Sequence, residues 1–451
     1  MQSGRTRRTF IHGVAVSVPL LAGCTSEEGG TPEDDTIQDS DGDGVIDSED
    51  YAPTDPDVQR KSDLQETATE AADRVTPTPA TSTTTPERTS SPEPTRSPTP
   101  TNDTPAGSSN TVTVSEHLSE QSRLHSYSAT DATVVVTSYP EIPHDRVQIV
   151  GITYEYPRGE GVAYGSSDAI DTPRDGDSTR VTVSMTEGDV SRGERLHHLI
   201  FAMPEDQDLE NVDGDDLTFL YESDPFRVNS DTGEISRDPP SHAQDDATQD
   251  GFERKSVEGA YRLQFDGQTQ GQPWRVGLYI WKSAYSQSVN EPRGRGYSEY
   301  VALAQSNGNA GTIAEILDEA AEANSFTGKR AKVEFVIDWV QSFPYVTDDV
   351  DTGYDDYPKT VTETMVEVRG DCEDTSILLA AILQTEPFNY DMVLIQPPEH
   401  MAAGIYGKDQ PGYYWEADGR EYYYIETTGE GWGIGDLPET YQGENAVVHQ
   451  V

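Results

Sequence analysis

The residue types able to do chemistry gather near the C-terminus: Cys372 in Gly370-Asp371-Cys372-Glu373-Asp374, His400 in Pro397-Pro398-Glu399-His400-Met401, and Glu426 in Tyr424-Ile425-Glu426-Thr427-Thr428. A thiol becomes a nucleophile when it loses its proton. An imidazole is suited to take that proton near neutrality, and a carboxylate holds the imidazole in the accepting tautomer. After residue 251 the chain has only His400 and His449, and His449 is close to the last residue, 451. His400 is therefore the base candidate.

The elements around these residues must position them. Residues 376–383 are an apolar run that predicts a buried helix, and Asp371 is placed to cap it, so Cys372 falls at the first helical position. Backbone N–H groups and the helix dipole favour thiolate there, while Glu373 and Asp374 oppose it. His400 opens a strand-like run ending near residue 406, and Glu426 lies in a second run, 422–428. If those strands are neighbours, Glu426 orients His400 and His400 accepts the Cys372 proton. Tyr357 and Trp432 are candidates to line the cleft. Upstream, residues 310–323 and 330–341 carry apolar positions at helical spacing, among them Ile313, Ile316, Leu317, Val333, Val336, Trp339 and Val340.

The order Gly370-Asp371-Cys372-Glu373-Asp374, then His400, then Tyr424-Ile425-Glu426-Thr427-Thr428 with Gly431-Trp432-Gly433-Ile434-Gly435, resembles the transglutaminase-like superfamily over residues 260–440. The resemblance implies a papain-like domain with a Cys372, His400, Glu426 triad. Many members have Asp followed by Pro-Thr at the third position, where this chain has Glu426-Thr427-Thr428; Asp418 is the other carboxylate available. It implies a thiol peptidase or amidase acting on peptide or side-chain amides of an extracellular protein or peptide, with no cofactor required for catalysis. The alternatives are a transamidase with a lysine-type acceptor, and a non-catalytic module that binds peptide or serves structure. Only seven lysines occur in the chain, which hints at scarce amine acceptors.

The chain has 451 residues, of which 33% are hydrophobic, too few for all of it to pack into cores. Its 82 acidic residues against 31 basic ones give a formal charge of −51, which argues against a nucleic-acid partner. That balance resembles halophilic, haloarchaeal-type proteins, whose acidic surfaces stay hydrated and whose self-repulsion molar salt screens.

At the N-terminus, Thr6-Arg7-Arg8-Thr9-Phe10-Ile11 is a twin-arginine pattern, followed by a short apolar run, 14–21. Leu21-Ala22-Gly23-Cys24 then resembles a lipobox. Residues 1–24 are thus expected to be an export signal, with Cys24 lipidated as the anchor that holds the protein on the outer face of the cell membrane. Cys24 and Cys372 are the only two cysteines and need separate explanations.

Within 25–63, Asp39, Asp41, Asp43, Asp47 and Asp50 alternate with Gly and Ser as a Ca²⁺ loop would, resembling a thrombospondin type 3 repeat. Residues 64–110 are rich in Thr, Pro, Ser and Glu and predict a disordered linker, with an N-glycosylation acceptor pattern at Asn102.

Residues 111–245 show short alternating runs at 133–139, 147–156, 180–185, 196–203 and 217–221, the pattern of an antiparallel β-sandwich. His197 and His198 are adjacent there, so on a strand they face opposite ways. All five tryptophans follow residue 252, which places the largest aromatic core in 246–451. The expected fold class is therefore α+β: a transglutaminase-like C-terminal domain behind a β-sandwich and a disordered N-terminal stalk.

Overall fold

A computed structural model describes residues 124–451, apart from 139–141, 191–193, 210–211, 213–215, 230, 250, 353–356 and 409, together with strand segments at 74–75, 78–80 and 112–113. The twin-arginine signal, Cys24, the Asp39 to Asp50 loop, Asn102 and most of the linker lie outside the described residues. Among the described residues no helix is long and apolar enough to cross a membrane.

The architecture is mixed α+β. A strand with period-two burial lies near the start of residues 124–451. Asp131–Thr137 alternates buried and half-buried positions, and Val134 and Val136 are fully buried. It pairs antiparallel with Leu124–Tyr127 and with Ser178–Ser184. A second antiparallel sheet is centred on Arg146–Glu155 and Leu196–Pro204. The two sheets enclose one apolar core that includes Val134, Val136, Ile149, Val181, Leu196 and Ile200.

Leu196–Pro204 is buried along its whole length because both its faces are covered. Leu196, Ile200 and Ala202 point into the core just described, whereas Leu199, Phe201 and Met203 point into another. His197 and His198 divide in the same way. His198 Nδ1 meets Thr153 Oγ1 at 3.0 Å and its Nε2 meets Ser128 O at 2.8 Å, while His197 Nδ1 lies 3.5 Å from Glu222. Burial pushes the His198 imidazole down to about 4.

The second of these cores joins the two halves of the chain. Val150, Ile152, Leu199, Phe201 and Phe219 pack there against Val257, Ala260, Tyr279 and Trp281. Those partners belong to a four-stranded antiparallel sheet running from Ala247–Gln249 to Gln272–Trp281. Buried ions cross the same seam: Lys282 Nζ meets Asp224 at 2.6 Å, Arg237 reaches both Asp224 and Glu258, and Glu222 accepts from the N–H and hydroxyl of Ser283.

Helices Asn309–Ala323 and Lys329–Gln341 match the expected apolar spacing, burying Ile313, Ile316 and Leu317 on the first and Val333, Val336, Trp339 and Val340 on the second. Helix Cys372–Gln384 sits at the centre, with every residue from Glu373 to Leu383 buried. One side of it faces the sheet Met392–Gln396, Ala402–Tyr406, Arg420–Ile425, Gly412–Ala417, with Ala446–Gln450 beyond Met392–Gln396. Two short strands fall within the span expected to be linker. Arg74–Val75 pairs with Ala446–Gln450 and Thr78–Ala80 pairs with Gly412–Ala417, so this segment meets both edges of the sheet. Edge strands present unpaired backbone groups, which is the physical reason a polar segment adds there.

Trp281 is 2% exposed in the seam. Trp281→Ala is expected to lower unfolding stability by about 3–5 kcal/mol, read from urea melts in molar salt. A loss below about 1 kcal/mol would mean that the seam is not a load shared by both halves.

Candidate functional site

The helix that carries Cys372 begins where the sequence places it. Asp371 is its N-cap residue with extended backbone, although the Asp371 side chain makes no capping bond. Gly370 is required just before it, because a Cβ there would lie 2.5 Å from Asp374 Oδ2. Backbone bonds from Gly370 N–H to Pro344 O and from Val346 N–H to Gly370 O fix the 344–346 segment beside the helix start. Tyr345, 54% exposed, stands there, its phenol pushed up by partial burial first and then by the nearby acidic groups Cys372, Asp371 and Glu373.

His400 closes a turn, its N–H bonded to Pro397 O, two residues before the strand Ala402–Tyr406 begins. Glu426 is the first residue after the strand Arg420–Ile425. These two strands are antiparallel neighbours, with Ala403 opposite Ile425. The result is His400 Nε2 at 3.0 Å from Glu426 Oε2. Tyr441 stacks on the imidazole, with centroids 5.0 Å apart and planes 2° from parallel.

Glu426 is 3% exposed and fully engaged. Oε2 also accepts from Tyr424 Oη at 2.9 Å, while Oε1 accepts from Thr428 N at 2.9 Å and Thr428 Oγ1 at 2.6 Å. Burial pushes its carboxyl up, but the bonds and charge of His400 and the Thr428 donors outweigh that and hold it below the usual carboxylate value. An ionised Glu426 only accepts, so Nε2 donates to it and Nδ1 is left as the accepting nitrogen. Asp418, the other carboxylate weighed, sits instead in the turn between Gly412–Ala417 and Arg420–Ile425, at φ 50°.

The sulfur is less disposed to ionise than the helix dipole alone predicts. Cys372 Sγ donates to Glu373 Oε2 at 3.2 Å. Burial first, then the charges of Glu373 and Asp371, push the thiol up, against a backbone N–H from Met401 that favours thiolate. Met401 follows His400, so that hydrogen bond also brings the base's turn against the nucleophile. The structure thus joins His400 directly to Glu426 and sets Cys372 against Met401, the residue that follows His400.

Sequence reasoning missed the groups that hold these three. Thr427 Oγ1 lies 2.9 Å from Thr375 Oγ1 and 3.0 Å from Ser376 Oγ, joining the first turn of the helix to the end of the Glu426 strand. Gln341 reaches the same loop from helix Lys329–Gln341. Hydroxyl and amide side chains carry no periodic signal, so only their burial distinguishes them. Of the two cleft candidates, Tyr357 lies under the guanidinium of Arg293, 4.2 Å from the ring centroid. Trp432 does border a cleft of about 870 Å³, with Trp274, Gln341, Gly431, Gly433 and Ile434. Cys372, His400 and Glu426 are not among the residues that line it.

Asp348, Asp371 and Asp374 bring carboxylate oxygens within 4.8 Å of one another, a spacing a metal ion could use. Lys359, 1% exposed, already supplies a cation, with Nζ 3.3 Å from Asp374 Oδ2 and 2.6 Å from Asp351. Burial and mutual repulsion push Asp374 up and raise Asp371 to about 9 and Glu373 to about 7. The cluster therefore handles its charge with Lys359 and retained protons.

No family model, curated protein or solved structure matches the chain.

Two expectations follow. Removing the Glu373 charge should release the thiol: Glu373→Gln is expected to raise iodoacetamide labelling of Cys372 at pH 7.5 on the order of tenfold, and unchanged labelling would sink the idea. Between about pH 5 and 9 the folded protein keeps protons on Asp371 and Glu373 that the unfolded chain has lost. The two groups therefore reduce stability as pH rises through that window. Asp371→Asn should flatten that decline in urea midpoints measured from pH 5 to 10, and a slope equal to wild type would contradict it.

Proposed function

We propose that this protein is a surface-anchored thiol hydrolase of transglutaminase-like type, a peptidase or amidase working through Cys372, His400 and Glu426. The observation that carries the proposal is the 3.0 Å contact of His400 Nε2 with a saturated, buried Glu426, set beside a cysteine at a helix start. A nucleophile on a helix, a base before one strand and an acid after the next is the arrangement a thiol acyl transfer needs.

In the proposed reaction the Cys372 proton passes to His400 Nδ1 and the thiolate attacks the amide carbonyl carbon, forming the C–S bond. The tetrahedral intermediate collapses with cleavage of the C–N bond, and imidazolium protonates the departing amine. Water then gives a proton to His400 while its oxygen attacks the thioester. The C–S bond breaks and the thiol is restored. The net change is amide plus water to acid plus amine. The backbone N–H of Cys372 is a candidate donor to the intermediate's oxyanion.

We place this chemistry outside the cell: the twin-arginine pattern and Cys24 support export and lipid anchoring, with a polar spacer between anchor and domain. The Asp39, Asp41, Asp43, Asp47, Asp50 loop is proposed as a Ca²⁺ site separate from the reaction. A second reading, a non-catalytic peptide-binding module, is favoured by one observation, the raised thiol, which keeps its proton and donates a hydrogen bond to Glu373.

An acyl probe reactive with thiols, applied in molar salt, separates these readings. Wild type should label and Cys372→Ala should not, while His400→Ala should label 10²- to 10⁴-fold more slowly, an order-of-magnitude expectation for loss of a general base. Equal labelling of wild type and Cys372→Ala would remove both enzymatic readings. Mass spectrometry of surface proteins from strains with and without Cys372 then distinguishes hydrolysis, which leaves new free termini, from transamidation, which leaves isopeptide links.

A further inference from the structure

Gln341 ends helix Lys329–Gln341 and is 2% exposed, deep enough that its amide must find partners. It finds all of them in one short loop. Nε2 donates to Glu426 O at 2.8 Å and to Trp432 O at 2.9 Å, and Oε1 accepts from Gly431 N at 3.0 Å. Both donor hydrogens are used, one on the carbonyl of the residue whose carboxylate holds His400.

The loop from Glu426 to Trp432 has two tethers. Thr427 is tied to Thr375 and Ser376 on the cysteine helix. Gln341 ties Glu426, Gly431 and Trp432 to a different helix. Glu426 lies beyond its strand's last residue, Ile425. Its carbonyl, which continued pairing would otherwise have held, is instead held by this amide. The carboxylate's own orientation depends on Thr428 folding back onto Oε1, and therefore on the path of the same loop.

We propose that Gln341 is a positioning residue for the triad: by fixing the backbone at Glu426 and Gly431 it aims the Glu426 carboxylate at His400 Nε2 and sets Trp432 at the border of the neighbouring cleft. This rests on the hydrolase proposal for its kinetic consequence, though not for its structural one. Gln341 touches no reacting atom; it acts through Glu426.

Gln341→Met keeps the side-chain length and removes all three bonds. In the full chain in molar salt, its kcat for amide hydrolysis should fall about 10- to 100-fold, the range typical of lost orienting contacts, while KM stays within about twofold. A less well aimed Glu426 stabilises imidazolium less, so Cys372 thiolate should need a higher pH to form. The midpoint of iodoacetamide labelling against pH should therefore move up by about half a unit or more. Should Gln341→Met fail to fold, Gln341→Glu carries the same test, since it keeps the volume and the acceptor but loses both donors.

A folded variant with wild-type kcat and an unshifted labelling midpoint overturns the inference. So does a variant that is merely less stable while its midpoint stays in place, because that marks a purely structural glutamine. If wild type labels at Cys372 yet hydrolyses no amide, the hydrolase proposal fails, and the shift of the labelling midpoint alone still decides the role of Gln341.

Discussion

Three hydroxyls hold the centre of this protein in register. Thr427 contacts Thr375 and Ser376 with all three buried, and the contact falls within about one helical turn of Cys372 and one residue after Glu426. Apolar packing alone would bring helix Cys372–Gln384 against the sheet, since Leu378, Leu379 and Ile382 are fully buried, but such packing is not directional. Hydroxyls excluded from water must meet a partner at about 2.8 Å. A helix slid by one residue along the strand would take both hydroxyl partners away from buried Thr427, so the tie selects one register out of several that packing permits.

Around that tie the protein keeps its acidity even in its interior. Asp348, Asp371, Glu373 and Asp374 crowd the helix start, with Lys359 as the buried cation among them. Burial and mutual repulsion push the carboxyls of Asp371, Glu373 and Asp374 up. Burial first, and then the charges of Glu373 and Asp371, hold the sulfur as thiol until a base draws the proton away, whereas the surroundings of Glu426 favour its anion. Glu426 differs from the helix-start carboxyls in accepting four hydrogen bonds, from His400, Tyr424 and twice from Thr428.

Periodicity carried much of the fold in the sequence. Helices at 309–323 and 329–341 begin within one residue of their apolar stripes, and strands with clean alternation, such as Asp131–Thr137, are equally legible. Leu124–Tyr127, Gly161–Ser166 and Phe226–Val228 are not, being short or rich in small and polar residues, and they exist because neighbouring strands offer backbone partners. Leu196–Pro204 reads in the sequence as an alternating run, 196–203, yet is buried on both faces, because the sheet ending in Gln272–Trp281 covers its second one. At the site, Cys372, His400 and Glu426 stand out by type and order. Glu373 as the thiol's hydrogen-bond acceptor and Gln341 as the loop's tether do not, since their roles arise only from geometry.

The apolar seam of Val150, Phe201, Phe219, Tyr279 and Trp281 has a practical meaning for anyone dividing this chain. A cut near residue 246, natural as it looks on the page, would uncover a wide greasy wall on each fragment. It would also strand Lys282 from Asp224 and Ser283 from Glu222. The strand-rich half is therefore less a neighbour of the cysteine-bearing half than its missing outer wall, and the two must be made, purified and crystallised together.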